Sequence, residues 1–319
     1  MSSRADGRSP AEIAIVGTGV AGLVSAHLLR RAHAITVFEA DARVGGHVHT
    51  VDVSLAGRRY AVDTGFIVYN ERTYPGLTRL FAELGVATQP SDMSFGVTCE
   101  RRGVEWGSRN LAALFADPRN AARPSFWRML RDLRRFFREA PALLAGDDEK
   151  LALGDWLCGA GYSPDFVELF LLPMGASIWS AEPGAFLRFP ARAFVRFFAN
   201  HGLLGVRQAP PWRVVRGGSQ RYVEALTAPF RDRIRTATPV RAVRRVAGGV
   251  EVLAGGRVQR FDRVVLACHA DQALALLDAG ATALERRVLG AIRYQANQAV
   301  LHTDASLLPR RRRAWASWN

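Results

Sequence analysis

The chain has 319 residues, 49% hydrophobic and 23% charged, an ordinary globular balance that excludes a disordered, collagen-like or disulfide-stapled polypeptide. Cys99, Cys158 and Cys268 are odd in number, far apart and without C-x-x-C spacing, which argues against a disulfide framework and against a zinc site. The net charge is +14, but all of the 43 basic residues except Lys150 are arginines scattered along the chain; no nucleic-acid partner is expected, and a phosphate cofactor or an anionic membrane surface explains the sign at least as well.

The N-terminal MSSRADGRSP is polar and has no apolar signal core. No apolar run approaches the ~20 residues of a membrane-spanning helix; the longest candidate, 166–179, is interrupted by Glu168 and Pro173. A reducing cytoplasm is the expected compartment.

In chain order, Ile13-Ala14-Ile15-Val16 reads as a buried strand that stops at the glycine-rich GTGVAG, Gly17 to Gly22. LVSAHLLRR continues as a helix, and Ile35-Thr36-Val37-Phe38 forms a second strand ending on Glu39. Strand, glycine turn, helix, strand and terminal acid make the βαβ unit of a dinucleotide-binding fold. Gly17 permits the tight turn, Gly19 the close approach of a pyrophosphate, and Gly22 the packing of helix on strand. The N–H groups at the helix start, on Val20, Ala21 and Gly22, face the phosphate charge. Glu39 follows the last glycine at nearly the spacing of a carboxylate that binds an adenosine ribose, and it disfavours NADP.

The next segment is ADARVGGHVHT, with Arg43, Gly45 and Gly46, followed by VDTGFIVYN from Val62. Here the sequence resembles the flavin-containing amine oxidase superfamily, which includes protoporphyrinogen oxidases and phytoene-type desaturases. The resemblance implies FAD, in an α/β fold whose Rossmann-like FAD-binding domain is discontinuous and carries an inserted, mainly helical substrate domain. It implies that Gly46 and His47 approach the pyrophosphate and ribityl chain, and that Gly65, Phe66 and Ile67 lie beside the isoalloxazine. It also implies that Ala40 and Arg43 complete the first cofactor-binding set and that Asp63 braces the turn rather than touching the flavin. The family commonly has arginine where His47 stands. His47 and His49, read as i and i+2 on a strand, point to one face and make half of a metal site; with no third ligand at a telling spacing, a cofactor or structural role is expected and no metal.

Residues 70–205 are richer in tryptophan, and helical patterns replace the strand signals. Phe126, Leu130, Leu133 and Phe137 form a helical stripe, with Arg128, Arg131, Arg135 and Arg138 largely away from it. Six arginines against Asp132 give 123–138 a local charge of +5, which suits a solvated face or an interfacial helix on an anionic membrane. Ser163 and Pro164 make a helix start, and Pro173 is expected to break that helix. The aromatic and aliphatic set of PMGASIWS and FVRFFANHG suits core, or else the lining of an apolar substrate pocket.

WRVVRGGSQRYVEAL reads as a strand, a Gly217-Gly218 turn and a helix. Short β elements follow, with turns at Gly248-Gly249 and Gly255-Gly256, then the buried strand RVVLAC and a helix. This resembles the superfamily's second cofactor segment, which implies that Val240 contacts adenine through its main chain and that Ala267 ends a strand near the dinucleotide. Cys268 has no paired base beyond His269, expected to point elsewhere on a strand, and no thiol catalysis is expected.

These signals divide the chain into 10–69 and 206–280 for the FAD-binding domain, 70–205 for the substrate domain, and 281–319 for the start of a second substrate segment. IVYNERTYP, SDMSFGV and LLPMGASIW resemble a bacterial subgroup of FAD-dependent oxidoreductases encoded beside cyclopropane-fatty-acid-synthase-like methyltransferases, which implies a lipid or fatty-acyl substrate. The expected activity is hydride removal from an apolar substrate. The alternatives are a NAD-dependent dehydrogenase and an incomplete or non-catalytic dinucleotide-binding polypeptide. The second arises because the superfamily's last, glycine-rich, flavin-closing segment has no counterpart after Leu301-His302-Thr303-Asp304, where PRRRRAW leads on to Asn319.

Overall fold

The computed structural model describes residues 9–179, 182–205 and 210–319. The chain divides into two compact units: residues up to Val68 with Gly76–Gln89 and Val214–Ala299, and Tyr69–Pro75 with Pro90–Arg213 and Val300–Asn319.

The first unit is built on a four-stranded parallel sheet. Strand β1 (Glu12–Val16) is followed by helix α1 (Val20–Leu29) and strand β2 (Ala34–Phe38). β2 pairs with β1 on one side and with Ile234–Arg235 on the other, while β1 also pairs with Arg263–Leu266. Ile13 to Val16 are all buried, which is why β1 reads as an unbroken apolar run rather than an alternating one. Leu23 and Ala26 of α1 are also fully buried. An antiparallel meander, Val240–Val246, Gly249–Ala254 and Arg257–Phe261, precedes the returning strand. Its Val243, Val252 and Phe261 share a core with Ala14 and Phe38. This αβ unit is therefore discontinuous in sequence.

In the second unit, Phe126, Met129 and Phe136 from helix Pro124–Glu139 pack with Phe166, Phe194 and Phe198. The Phe194 and Phe198 rings lie 4.2 Å apart and Phe136 and Phe166 5.5 Å apart. These aromatics are core, packed on one another. The buried line of the Pro124–Glu139 helix runs through Phe126, Met129, Asp132 and Phe136. The expected Leu130, Leu133 and Phe137 flank it, half-buried. The arginines of this helix are not simply solvated. Arg128 pairs with Asp165 at 2.6 Å, Arg135 with Glu139 at 2.8 Å, Arg138 with Glu139 at 3.0 Å and Arg131 with Asp132 at 3.5 Å.

Two further expectations change in this unit. Residues 70–205 are not free of strands: Gly96–Cys99 and Val104–Gly107 form an antiparallel hairpin, too short to show a periodic signal. Phe95 bridges to Trp318 along it, and the Gly96 N–H donates to the Trp318 carbonyl at 2.7 Å. Pro173 does not break its helix. Pro164–Phe166, a π-helical turn at Val167–Leu171, and Leu172–Trp179 run on without interruption. Ser163 caps the start, its hydroxyl accepting from the Phe166 N–H at 3.3 Å. A wide turn makes room for the ring and missing N–H of Pro173, and the carbonyl of Leu169, four residues back, takes the Trp106 indole N–H at 3.1 Å instead. Among the described residues no helix is long and apolar enough to cross a membrane.

Candidate functional site

The strongest constellation gathers in the first unit at the carboxyl ends of β1, β2 and Arg263–Leu266, where β1 is flanked by strands from opposite ends of the unit's sequence. Crevices at such switch points are where open α/β sheets bind ligands.

β1 ends in a turn that only glycine satisfies. Gly17 has φ +103°, and a Cβ there would lie 2.7 Å from the Ala267 carbonyl oxygen. A Cβ on Gly22 would lie 2.0 Å from the Gly17 oxygen, so α1 sits directly on the turn. Gly19 differs. Its backbone is extended, it caps α1 without a side-chain hydrogen bond, and nothing lies within 4 Å of where its Cβ would be. The fold itself does not need glycine at 19; a ligand resting on that open surface would. Val20 and Ala21 are exposed beside it, so the uncapped N–H groups of the first helical turn open onto the same surface.

Glu39 is buried, 8% exposed. Its Oε2 accepts the Thr18 N–H at 2.9 Å and also the Thr18 hydroxyl, and its Oε1 accepts the Asp41 N–H at 2.9 Å. The Gly45 N–H in turn donates to Thr18 Oγ1 at 3.1 Å. The Glu39 N–H donates to the Arg235 carbonyl at 2.9 Å, and the Thr238 N–H donates to the Glu39 carbonyl at 2.8 Å. Residues 235–238 therefore run beside Glu39 and the exposed Ala40, and lead into Val240, which pairs with Ala254.

Arg43, expected among the cofactor contacts, turns inward. Its guanidinium donates to the carbonyls of Val48 at 2.7 Å and Gly46 at 2.6 Å, which fixes the loop that brings Gly46 against Gly19; a Cβ on Gly46 would lie 3.0 Å from the Gly19 Cα. His47 and His49 do not share a strand face, because the strand starts only at Thr50. His49 Nδ1 meets Thr64 Oγ1 at 2.8 Å, whereas the exposed His47 ring faces His269 at 5.4 Å. Among the described residues no three His, Cys, Asp or Glu side chains gather as a metal site.

Ala267 donates its N–H to the Val16 carbonyl at 2.8 Å. Burial pushes the Cys268 thiol up from its ordinary range, the opposite of what a thiolate nucleophile needs. His269 is not on a strand; it caps helix Ala270–Leu277, and its ring stacks on Tyr294 at 4.4 Å.

The Gly65-Phe66-Ile67 stretch meets this crevice through His47: a Cβ on Gly65 would lie 1.8 Å from the His47 oxygen. Asp63 fixes it. That carboxylate accepts the Thr50 hydroxyl at 2.6 Å, the Ser219 N–H at 2.8 Å and the Ser219 hydroxyl at 2.9 Å, and Ser219 Oγ also lies 3.1 Å from the Phe66 carbonyl. Ile67 is 45% exposed. Thr18 and Ser219 carry little mark in the sequence; their only signal is a hydroxyl placed between glycines or directly after a glycine pair.

Comparison with known proteins agrees with this architecture. The sequence model of the flavin-containing amine oxidoreductase family matches residues 20–302. AofH of Mycobacterium tuberculosis, named as a flavin-containing monoamine oxidase, is 27% identical over 253 residues, covering 76% of this chain and 53% of AofH. A putrescine oxidase variant superposes with a TM-score of 0.65 at 22% identity, and a CLA-producing fatty acid isomerase from P. acnes with 0.60 at 18%; each match covers 88% of this chain and 63% of the other. The chain thus spans about half the length of the curated relatives it matches. It belongs to the flavin-containing amine oxidoreductase family.

Proposed function

We propose that this polypeptide holds FAD through the crevice above β1 and serves a flavin-dependent oxidation of an apolar, fatty-acyl or lipid substrate. The family is one of FAD-dependent oxidoreductases, and the residues present fit that cofactor. The single observation that carries the reading is the open surface over Gly19 beside an uncapped helix start, a cradle for a diphosphate that a Cβ would fill. Val20, Ala21 and Gly22 would offer it their N–H groups, Glu39 would accept from the adenosine ribose, and Ala40 and Val240 would flank the adenine. Gly46, His47, Gly65, Phe66 and Ile67 would line the side of the ribityl chain and isoalloxazine.

FAD, when bound, supplies the acceptor for a hydride taken from a C–H bond. The protein's part is to bind, orient and exclude water. The substrate class rests on the likeness of IVYNERTYP, SDMSFGV and LLPMGASIW to the lipid-associated subgroup, and on the fold shared with a fatty acid isomerase. Amine oxidases share that fold as well, so amines are the competing class.

The purified protein is expected to carry flavin absorbance, and heat release followed by chromatography should yield FAD. Recovery of NAD, or no binding of either dinucleotide, overturns the cofactor assignment. Under anaerobic conditions, bleaching of the flavin by long-chain fatty acids or their esters is expected; bleaching by primary amines alone overturns the substrate assignment.

A further inference from the structure

We infer that Thr18 is a positioning residue for the ribose-binding carboxylate: its hydroxyl relays a hydrogen bond from Gly45 to Glu39 and so aims Glu39 Oε1 at the ligand. The inference rests on the dinucleotide reading above and adds a residue and a geometry to it.

Thr18 is fully buried. Both of its donors, the N–H at 2.9 Å and the hydroxyl, go to the same oxygen, Glu39 Oε2. An ionised carboxylate has about four acceptor sites, two on each oxygen. Thr18 therefore fills Oε2, and the Asp41 N–H at 2.9 Å takes one site on Oε1. What is left for an incoming hydroxyl is the second site on Oε1. The threonine hydroxyl can do this because it donates and accepts at once: the Gly45 N–H reaches its oxygen at 3.1 Å. The loop that presents Gly46 to Gly19 and the acid that would read the ribose are thus joined through one side chain. Valine or alanine at 18 would keep the main-chain bonds to Oε2 and Oε1 but would remove the relay, leaving the buried Gly45 N–H without its acceptor and the carboxylate held by two donors instead of three.

The test compares the binding of ADP with that of 2′-deoxy-ADP and 3′-deoxy-ADP by calorimetry. For the wild-type chain, loss of the hydroxyl that meets Glu39 should weaken binding by roughly tenfold or more, the scale of a hydrogen bond to a charged group. In Thr18→Val and Thr18→Ala that discrimination should fall to within about threefold, while Thr18→Ser should restore it. A fold defect alone would weaken all three nucleotides together and leave their ratios intact. Should neither hydroxyl-free variant fold, the wild-type chain still decides: ADP, but not 2′,3′-dideoxy-ADP, should slow hydrogen exchange at the Gly45 amide. Undiminished discrimination in the folded variants, or equal slowing by both nucleotides, overturns the role of Thr18 alone. Failure of the wild-type chain to bind ADP overturns the dinucleotide reading and this inference with it.

Discussion

The indole N–H of Trp106 donates to the main-chain carbonyl of Leu169 at 3.1 Å, the acceptor that Pro173 cannot serve. Trp106 is 2% exposed and Leu169 fully buried, so no water is at hand to replace the bond. Trp106→Phe should lower stability by about 1–3 kcal/mol for the orphaned acceptor, beyond the change in ring size. In the Trp106→Phe/Pro173→Ala double variant, residue 173 regains an N–H and part of the loss should return. Urea unfolding would measure both, and a double variant no more stable than Trp106→Phe would disprove the linkage.

Gly19 and Gly22 should respond differently to the same added methyl. Gly22→Ala drives a Cβ to 2.0 Å from the main-chain oxygen of Gly17, and stability should fall by about 2 kcal/mol or more because backbone has to move. Gly19→Ala meets nothing within 4 Å and should cost no more than about 1 kcal/mol, the difference between glycine and alanine at a helix N-cap. Its effect should appear in ligand affinity, with FAD or ADP bound roughly tenfold more weakly. Unchanged affinity in Gly19→Ala would mean that no diphosphate lies over that residue.

Glu39→Gln tests the same carboxylate from the side of the protein. An amide offers one acceptor oxygen, so at least one donor among Thr18 N–H, the Thr18 hydroxyl and Asp41 N–H must face an NH₂ group. The expected cost is about 1–3 kcal/mol without any ligand. If apo-stability is unaltered, Glu39 is not held by these donors in solution.

Tyr162 supplies a prediction in alkali. Burial, together with the charge of Glu139, pushes its phenol up to about 12 from 10.0, and its hydroxyl donates to Glu139 at 3.2 Å. The fold favours the neutral phenol, so the associated stability is complete below pH 10 and is lost as the pH rises from 10 towards 12. Tyr162→Phe keeps the ring and has no proton to lose. Its unfolding midpoint should decline less steeply than that of the wild-type chain between pH 10 and 12, and equal slopes would rule the coupling out.

The sequence made the first βαβ unit legible because its determinants are local. Gly17, Gly22 and the run into Glu39 declare themselves within thirty residues, and the sterics at Gly17 and Gly22 explain why no other residue stands there. Some of what stayed hidden was settled at long range, and some by local main-chain geometry. Pro173 looks like a helix breaker until Trp106, 63 positions before Leu169, takes up the freed carbonyl. The arginines of 123–138 look unbalanced until Asp165, 37 positions from Arg128, arrives beside them. Arg43 has the chemistry of a phosphate ligand, but its carbonyl partners carry no mark in the residue alphabet. The strand face assumed for His47 and His49 failed by a few residues, since period-two reasoning holds only once the strand has begun at Thr50.

The parallel pairing of β1 with Arg263–Leu266 has a consequence during synthesis. Glu12 and Asp262, bonded at the foot of that pairing, are 250 residues apart in the chain. At about 5–20 residues per second, translation would leave that edge of β1 without its neighbour for roughly 12–50 s. An apolar strand with a bare edge is a template for unwanted pairing. The nascent chain should therefore depend on a holding chaperone, or on slow translation past residue 266, far more than the finished protein does.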